Sequence, residues 1–156
     1  MHISKESIIH PLPTLEVIER RERKWRQKLP EGYKNFLLDF NGGIPEQKTF
    51  EYNLREYVVT RFLCILDDYR ENRYGWYDVS VVESQLSERL TANLDIIGVE
   101  MLPIAELFSG DYLCMDFRDS KEFPCICVWN HEESIEFDPV TYKVAESFSE
   151  FLKMLK

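Results

Sequence analysis

A chain of 156 residues with 44% apolar and 30% charged side chains is long enough to enclose one hydrophobic core and too apolar to be disordered. Nothing in it approaches the roughly 18 consecutive apolar residues of a membrane span, and the opening MHISKESIIHPLP has neither an apolar signal core nor a small-residue cleavage site. The net charge of −9 is uneven: residues 1–48 hold nine Lys/Arg against seven Asp/Glu, residues 49–156 ten against twenty-one. That balance argues against nucleic acid; it would speed association with a basic partner, or it serves solubility alone.

Residues 1–13 read as a flexible or extended arm. Thr14 then caps a helix running to Lys28, with Leu15, Ile18, Trp25 and Leu29 on its apolar side and Glu16 in its first turn. Six cations, Arg20 to Lys28, crowd its second half. They suit a helix C-terminus and can pair with Glu19 and Glu22, so they need no acidic ligand. Leu29-Pro30 breaks that helix, and Pro30 is suited to the first position of the next. Tyr33, Phe36, Leu37 and Phe40 make one helical stripe, and Asn41-Gly42-Gly43 stops it through residues that tolerate left-handed backbone.

The periodicity then changes. Phe50–Tyr52 and Tyr57–Leu66 are β-branched and aromatic, as strands are. Asp67–Trp76 is polar and turn-rich. Ser80-Val81-Val82-Glu83 has the form of a capping box, opening a helix with Val82, Leu86 and Leu90 on its seam. Strands are expected over Ile97–Ala105, Tyr112–Phe117, Cys125–Trp129 and Ser134–Phe137, the last turning at Asp138-Pro139. Ser147-Phe148-Ser149-Glu150 is a second capping box, with Phe148, Phe151, Leu152 and Leu155 on one face. Clustered strands with short turns imply antiparallel pairing. The expected fold is a single α+β domain over 1–156, an antiparallel or mixed sheet with helices mainly on one face.

Chemistry-bearing residues are few. Cys125-x-Cys127 with Cys114 and His131 is the one metal-like set, but a one-residue gap on a strand lacks zinc-knuckle spacing, and apolar neighbours make these core thiols. No nucleophile elbow, phosphate loop or zincin motif appears. No enzyme activity, cofactor or metal is expected, and the chain reads as cytoplasmic. The partner-binding candidates are Asp67, Asp68, Glu71, Arg73, Tyr74, Trp76 and Tyr77, where hot-spot residue types adjoin carboxylates, and the acidic turn His131, Glu132, Glu133 and Glu136. Tyr74 and Trp76 could equally tuck onto the sheet.

Leu29, Pro30, Tyr33, Lys34, Phe36 and Leu37, followed by Asn41, Gly42, Gly43 and Pro45, resemble the opening signature of the SUKH superfamily, which includes bacterial toxin-immunity proteins and fungal cell-wall regulators. Further blocks agree in order: Arg61-Phe62-Leu63, Leu102–Ala105, Gly110–Asp116, Trp129-Asn130-His131-Glu132 and Val144–Leu152. The resemblance implies a single non-catalytic α+β domain that binds proteins. In bacteria the usual role is neutralising a cognate toxin, often a nuclease, by stoichiometric binding; a regulatory adaptor of the same fold is the alternative. The matched Leu29, Pro30, Tyr33, Phe36, Asn41, Gly42, Gly43, Trp129 and Phe148 read as structural, leaving partner contacts to the unmatched segments. Asp116 and His131-Glu132 are polar members of the matched set and could organise the sheet end.

Overall fold

In the computed structural model, which describes residues 1–156, six strands lie side by side in sequence order as one sheet. They are β1 (Thr49–Tyr52), β2 (Arg55–Phe62), β3 (Met101–Leu107), β4 (Tyr112–Asp116), β5 (Cys125–Trp129) and β6 (Thr141–Ala145), and every pair is antiparallel. The helices are α1 (Leu15–Trp25), α2 (Glu31–Phe40), α3 (Val79–Leu86) and α4 (Phe148–Met154). The chain is the α+β domain that its patterning predicts.

Alternation along the strands divides the core. Leu113, Met115, Ile126 and Val128 face a large cluster containing Ile18, Trp25, Phe36 and Phe148, contributed by α1, α2 and α4. The residues between them, Cys114, Cys127 and Trp129, face Leu90, with Leu86 of α3 packed alongside. Three helices therefore cover one face, while the α3 segment reaches the other. Phe148 sits at the junction of α4, α2 and β2: its ring lies 5.1 Å from Tyr33 and 5.3 Å from Phe36, and Phe36 lies 4.7 Å from Phe62. Edge and tilted arrangements of this kind add to plain area burial.

The helix entries follow their sequences with two corrections. Thr14 accepts a hydrogen bond from the Val17 N–H, and Ser147 from that of Glu150, as capping chemistry requires. Pro30, however, is the cap of α2 and not its first helical residue; the buried Leu29 before it donates its N–H to the Glu22 carboxylate at 2.6 Å. At α3 the cap is Asp78, not Ser80. Asp78 accepts from the Ser80 N–H because Arg21, arriving from α1, fixes its carboxylate there and also donates to the Ser80 hydroxyl.

α2 stops at Asn41-Gly42-Gly43 as its sequence predicts, although Asn41, the residue after its last turn, is not itself left-handed. Its side chain is completely buried, donates to the carbonyls of Ile9 and Ile65, and accepts from the Ile65 N–H. Gly42 takes the left-handed turn instead (φ 69°), and a Cβ there would lie 2.6 Å from the Ile9 side chain. The first thirteen residues run along this corner: Ile3 bridges to Pro45, a short turn of 3-10 helix spans Lys5–Ser7, and Ile9 is buried.

The strand expected over Ser134–Phe137 is a loop. The Asn130 side chain accepts from the Glu133 N–H, the Ser134 hydroxyl accepts from the Val140 N–H, and Phe137 has φ 56°. The last strand is β6, a few residues later. Tyr57–Leu66 is also shorter than expected as a strand, ending at Phe62, after which Cys64 makes an isolated parallel bridge to Asp78.

Candidate partner-binding surface

Asp67, Asp68, Glu71 and Arg73 are exposed on the segment between β2 and α3, which contains two single turns of 3-10 helix, Tyr69–Glu71 and Gly75–Tyr77. The segment is held at both ends. Arg20 pairs with Asp67, the Asn72 amide donates to the His10 carbonyl, and the Cys64–Asp78 bridge closes its base. Its aromatics divide between two roles. Tyr74 and Tyr77 are half-buried and carry the Arg61 guanidinium at 5.8 and 4.9 Å from their ring centres, while Trp76 is 67% exposed. Trp76 is thus the aromatic of this segment left in solvent, on a stretch that carries Asp67, Asp68 and Glu71 together with Arg70 and Arg73.

The second candidate group, His131, Glu132, Glu133 and Glu136, follows β5. Here sequence reasoning missed Asp111. This buried carboxylate accepts from the His131 main-chain N–H at 2.9 Å, lies 2.6 Å from its Nδ1, and takes the Ser109 hydroxyl on its other oxygen. Burial alone would favour the neutral acid, but these hydrogen bonds outweigh it and hold the Asp111 pKa below the usual carboxylate value. Facing an ionised carboxylate, Nδ1 carries the hydrogen. Gly110, with φ 91°, brings the β3–β4 turn against the imidazole, where even a Cβ would be 3.4 Å away. His131 is thus an ordering element for the loop, and Glu132, Glu133 and Glu136 are its exposed acidic rim.

Arg89 fastens the same loop from below. It donates to the carbonyls of His131 and Ser134 and lies 4.9 Å over the Trp129 ring, whose indole N–H donates to the Arg89 carbonyl. Asp116 pairs with Arg118 through two side-chain hydrogen bonds and takes the Arg118 N–H as well. Of the polar members of the matched motifs, Asp116 and His131 therefore organise turns, and Glu132 stays exposed.

The two candidate groups make no hydrogen bond or ion pair with each other. The first group follows β2 and the second follows β5, and because those strands run in opposite directions the two groups leave the sheet at opposite ends.

Cys114 and Cys127 are buried beside Trp129, and burial pushes both thiols up, away from the reactive thiolate. No group of three or more His, Cys, Asp or Glu is arranged to hold a metal ion. No helix is long and apolar enough to cross a membrane.

With this geometry in place, residues 15–152 match the family model described as SMI1-KNR4 cell-wall. The chain belongs to this SUKH family. It is also 28% identical over 145 residues to the SPbeta prophage-derived uncharacterized protein YokK of Bacillus subtilis (strain 168), covering 89% of this chain and 72% of that one. No solved structure matches. The family's signature coincides with the α2 corner and the turns described above: Tyr33 and Phe36 in the core, Asn41 bonding three backbone groups, Gly42 in the tight turn.

Proposed function

We propose that this SUKH domain is a non-catalytic immunity protein, binding and neutralising a cognate toxin domain of basic character in the cytoplasm. The observation that carries the reading is Trp76, 67% exposed on a segment pinned at both ends and bordered by Asp67, Asp68 and Glu71. Tryptophan is a residue type enriched at interface hot spots, and the excess of twenty-one Asp/Glu over ten Lys/Arg in residues 49–156 would draw in a basic surface. Membership of the family supports a binding role. The prophage origin of the similar B. subtilis protein favours a bacterial toxin context over a regulatory adaptor.

The test is to co-express the chain with a toxin-like C-terminal domain encoded in an adjacent reading frame. Growth rescue together with a co-purifying one-to-one complex is the expected result. A toxin that stays lethal and uncomplexed overturns the proposal and moves the adaptor reading forward.

A further inference from the structure

The two edges of the sheet are finished differently. At β1, the Thr49 N–H and carbonyl both bond to the Lys156 backbone, at 3.2 and 2.8 Å, so the C-terminus caps that edge at its first residue. At β6, the ladder to β5 accounts for every backbone hydrogen bond of Thr141–Ala145. The Asn130 N–H bonds to the Val140 carbonyl, which makes that position a hydrogen-bonded pair. By antiparallel alternation the N–H and C=O groups of Thr141 and Lys143 point away from the sheet. β6 is an open strand edge, the type of template to which another strand adds.

Charge says which strand. The turn entering β6 carries Glu132, Glu133, Glu136 and Asp138, and Glu146 follows it. Lys143, the one cation on the strand, is taken up by Glu146 at 2.6 Å. Beside β6 lies a groove of about 210 Å³ walled by Tyr52, Tyr57 and Tyr142, with Glu133 on its rim accepting the Tyr142 hydroxyl. Arg55, which also lines it, lies over the Tyr57 ring and reaches toward Asp111. Arg55 takes the Tyr57 face, which leaves Tyr52 and Tyr142, with the Glu133 carboxylate at the mouth, to receive the methylenes and charge of a lysine or arginine. A second copy of this chain suits poorly, because it would bring the same acidic border against the first.

We propose that β6 takes up an extended segment of a basic partner as a seventh strand, with alternate Lys or Arg side chains directed to the tyrosine groove. The partner's basic class rests on the proposed function; the open edge does not.

The experiment uses the full chain and two nine-residue peptides, one alternating lysine with valine, the other glutamate with valine. Residue-resolved amide hydrogen exchange is the readout. The lysine peptide is expected to slow exchange at Thr141 and Lys143 at least tenfold, and the glutamate peptide to leave it unchanged. Lys143→Pro removes one outward donor without touching the β5 ladder and should weaken peptide binding at least tenfold, whereas Lys143→Ala should stay within threefold. No protection by either peptide overturns the proposal. Equal protection by both overturns its charge selection, and peptide-free protection that rises with protein concentration assigns the edge to a second copy. The peptide assay needs no toxin and growth rescue needs no particular edge, so each reading fails on its own.

Discussion

Arg21 and Asp78, 57 residues apart in sequence, meet in a two-pronged ion pair, Nη1 to Oδ1 at 2.7 Å and Nη2 to Oδ2 at 2.9 Å. The Asp78 side chain is fully buried, and it also accepts from the Leu66 and Ser80 N–H groups. Asp78→Ala leaves the largely buried Arg21 charge without its counter-ion, held only by the Leu66 carbonyl and Ser80 hydroxyl, and two backbone donors without partners, and should cost about 3–5 kcal/mol in urea denaturation. Replacing both members, as in Arg21→Met with Asp78→Leu, should cost less than either single change. A loss under about 1 kcal/mol for Asp78→Ala would mean the pair does not join α1 to α3.

Asp111 sets an acid limit on stability. Its folded-state pKa lies below the ordinary value near 4. The ionised form therefore stabilises the fold above the unfolded pKa, and that contribution is lost as pH falls through the folded one. Stability measured from pH 6 to pH 2 should drop less steeply in Asp111→Asn than in the parent. Parallel curves would show that the carboxylate's charge is irrelevant to the loop.

The β1–β2 hairpin turns through Asn53 and Leu54, with φ 55° and 64°, and Leu54 is wholly exposed. Asparagine suits this conformation; leucine is strained in it and buries nothing in return. Leu54→Gly is expected to raise stability by about 0.5–1 kcal/mol, the relief of strain exceeding the added freedom of the unfolded chain. A lower Tm would contradict that balance.

Reversing the charges of Asp67, Asp68, Glu71, Glu132 and Glu133 to lysine should leave the fold intact, since all five are exposed. The changes remove only exposed contacts, among them the Asp67 pairing with Arg20, the Asp68 cap on the Arg70 N–H and the Tyr142 hydroxyl bond to Glu133. Against the partner recovered by co-expression, association should slow at least tenfold at low salt, and by less as salt is raised. An unchanged on-rate would remove the acidic surface from the recognition scheme.

Core substitutions test the helix faces. Trp25, Phe36 and Phe148 are 1%, 5% and 3% exposed, and each change to alanine should cost about 3–5 kcal/mol by denaturation.

Local chemistry was the legible part of this fold. Thr14 and Ser147 announce their helices because capping needs only a hydroxyl and an N–H three residues on. The meander is readable because its strands are dense runs of Val, Ile, Cys and aromatics. Long-range partners are what local reading misses. Asp78 displaces Ser80 as a cap only because Arg21 arrives from α1, and Asp111 has no visible role until His131, twenty residues on, folds back to it. The edge strand β6 was hidden for a different reason. Thr141–Ala145 is half-exposed throughout and so lacks the apolar alternation of the inner strands, whereas Ile135 and Phe137 imitate it within a loop closed by Asn130 and Ser134. At the candidate surface, the sequence named the acidic and aromatic residues, but not which aromatic would be left in solvent.

Because every strand pairs with its neighbour in the chain, the sheet can form as a succession of local closures. Only the connection from β2 to β3, which carries α3, spans a long interval before its pairing is rewarded. Chains with this wiring refold faster than sheets of equal size built from distant segments, since little loop entropy is lost before each contact forms. The slow events should be the late dockings of the two chain-distant seams, Arg21 on Asp78 and Lys156 on Thr49. Mutations there would then accelerate unfolding and leave the refolding rate nearly unchanged.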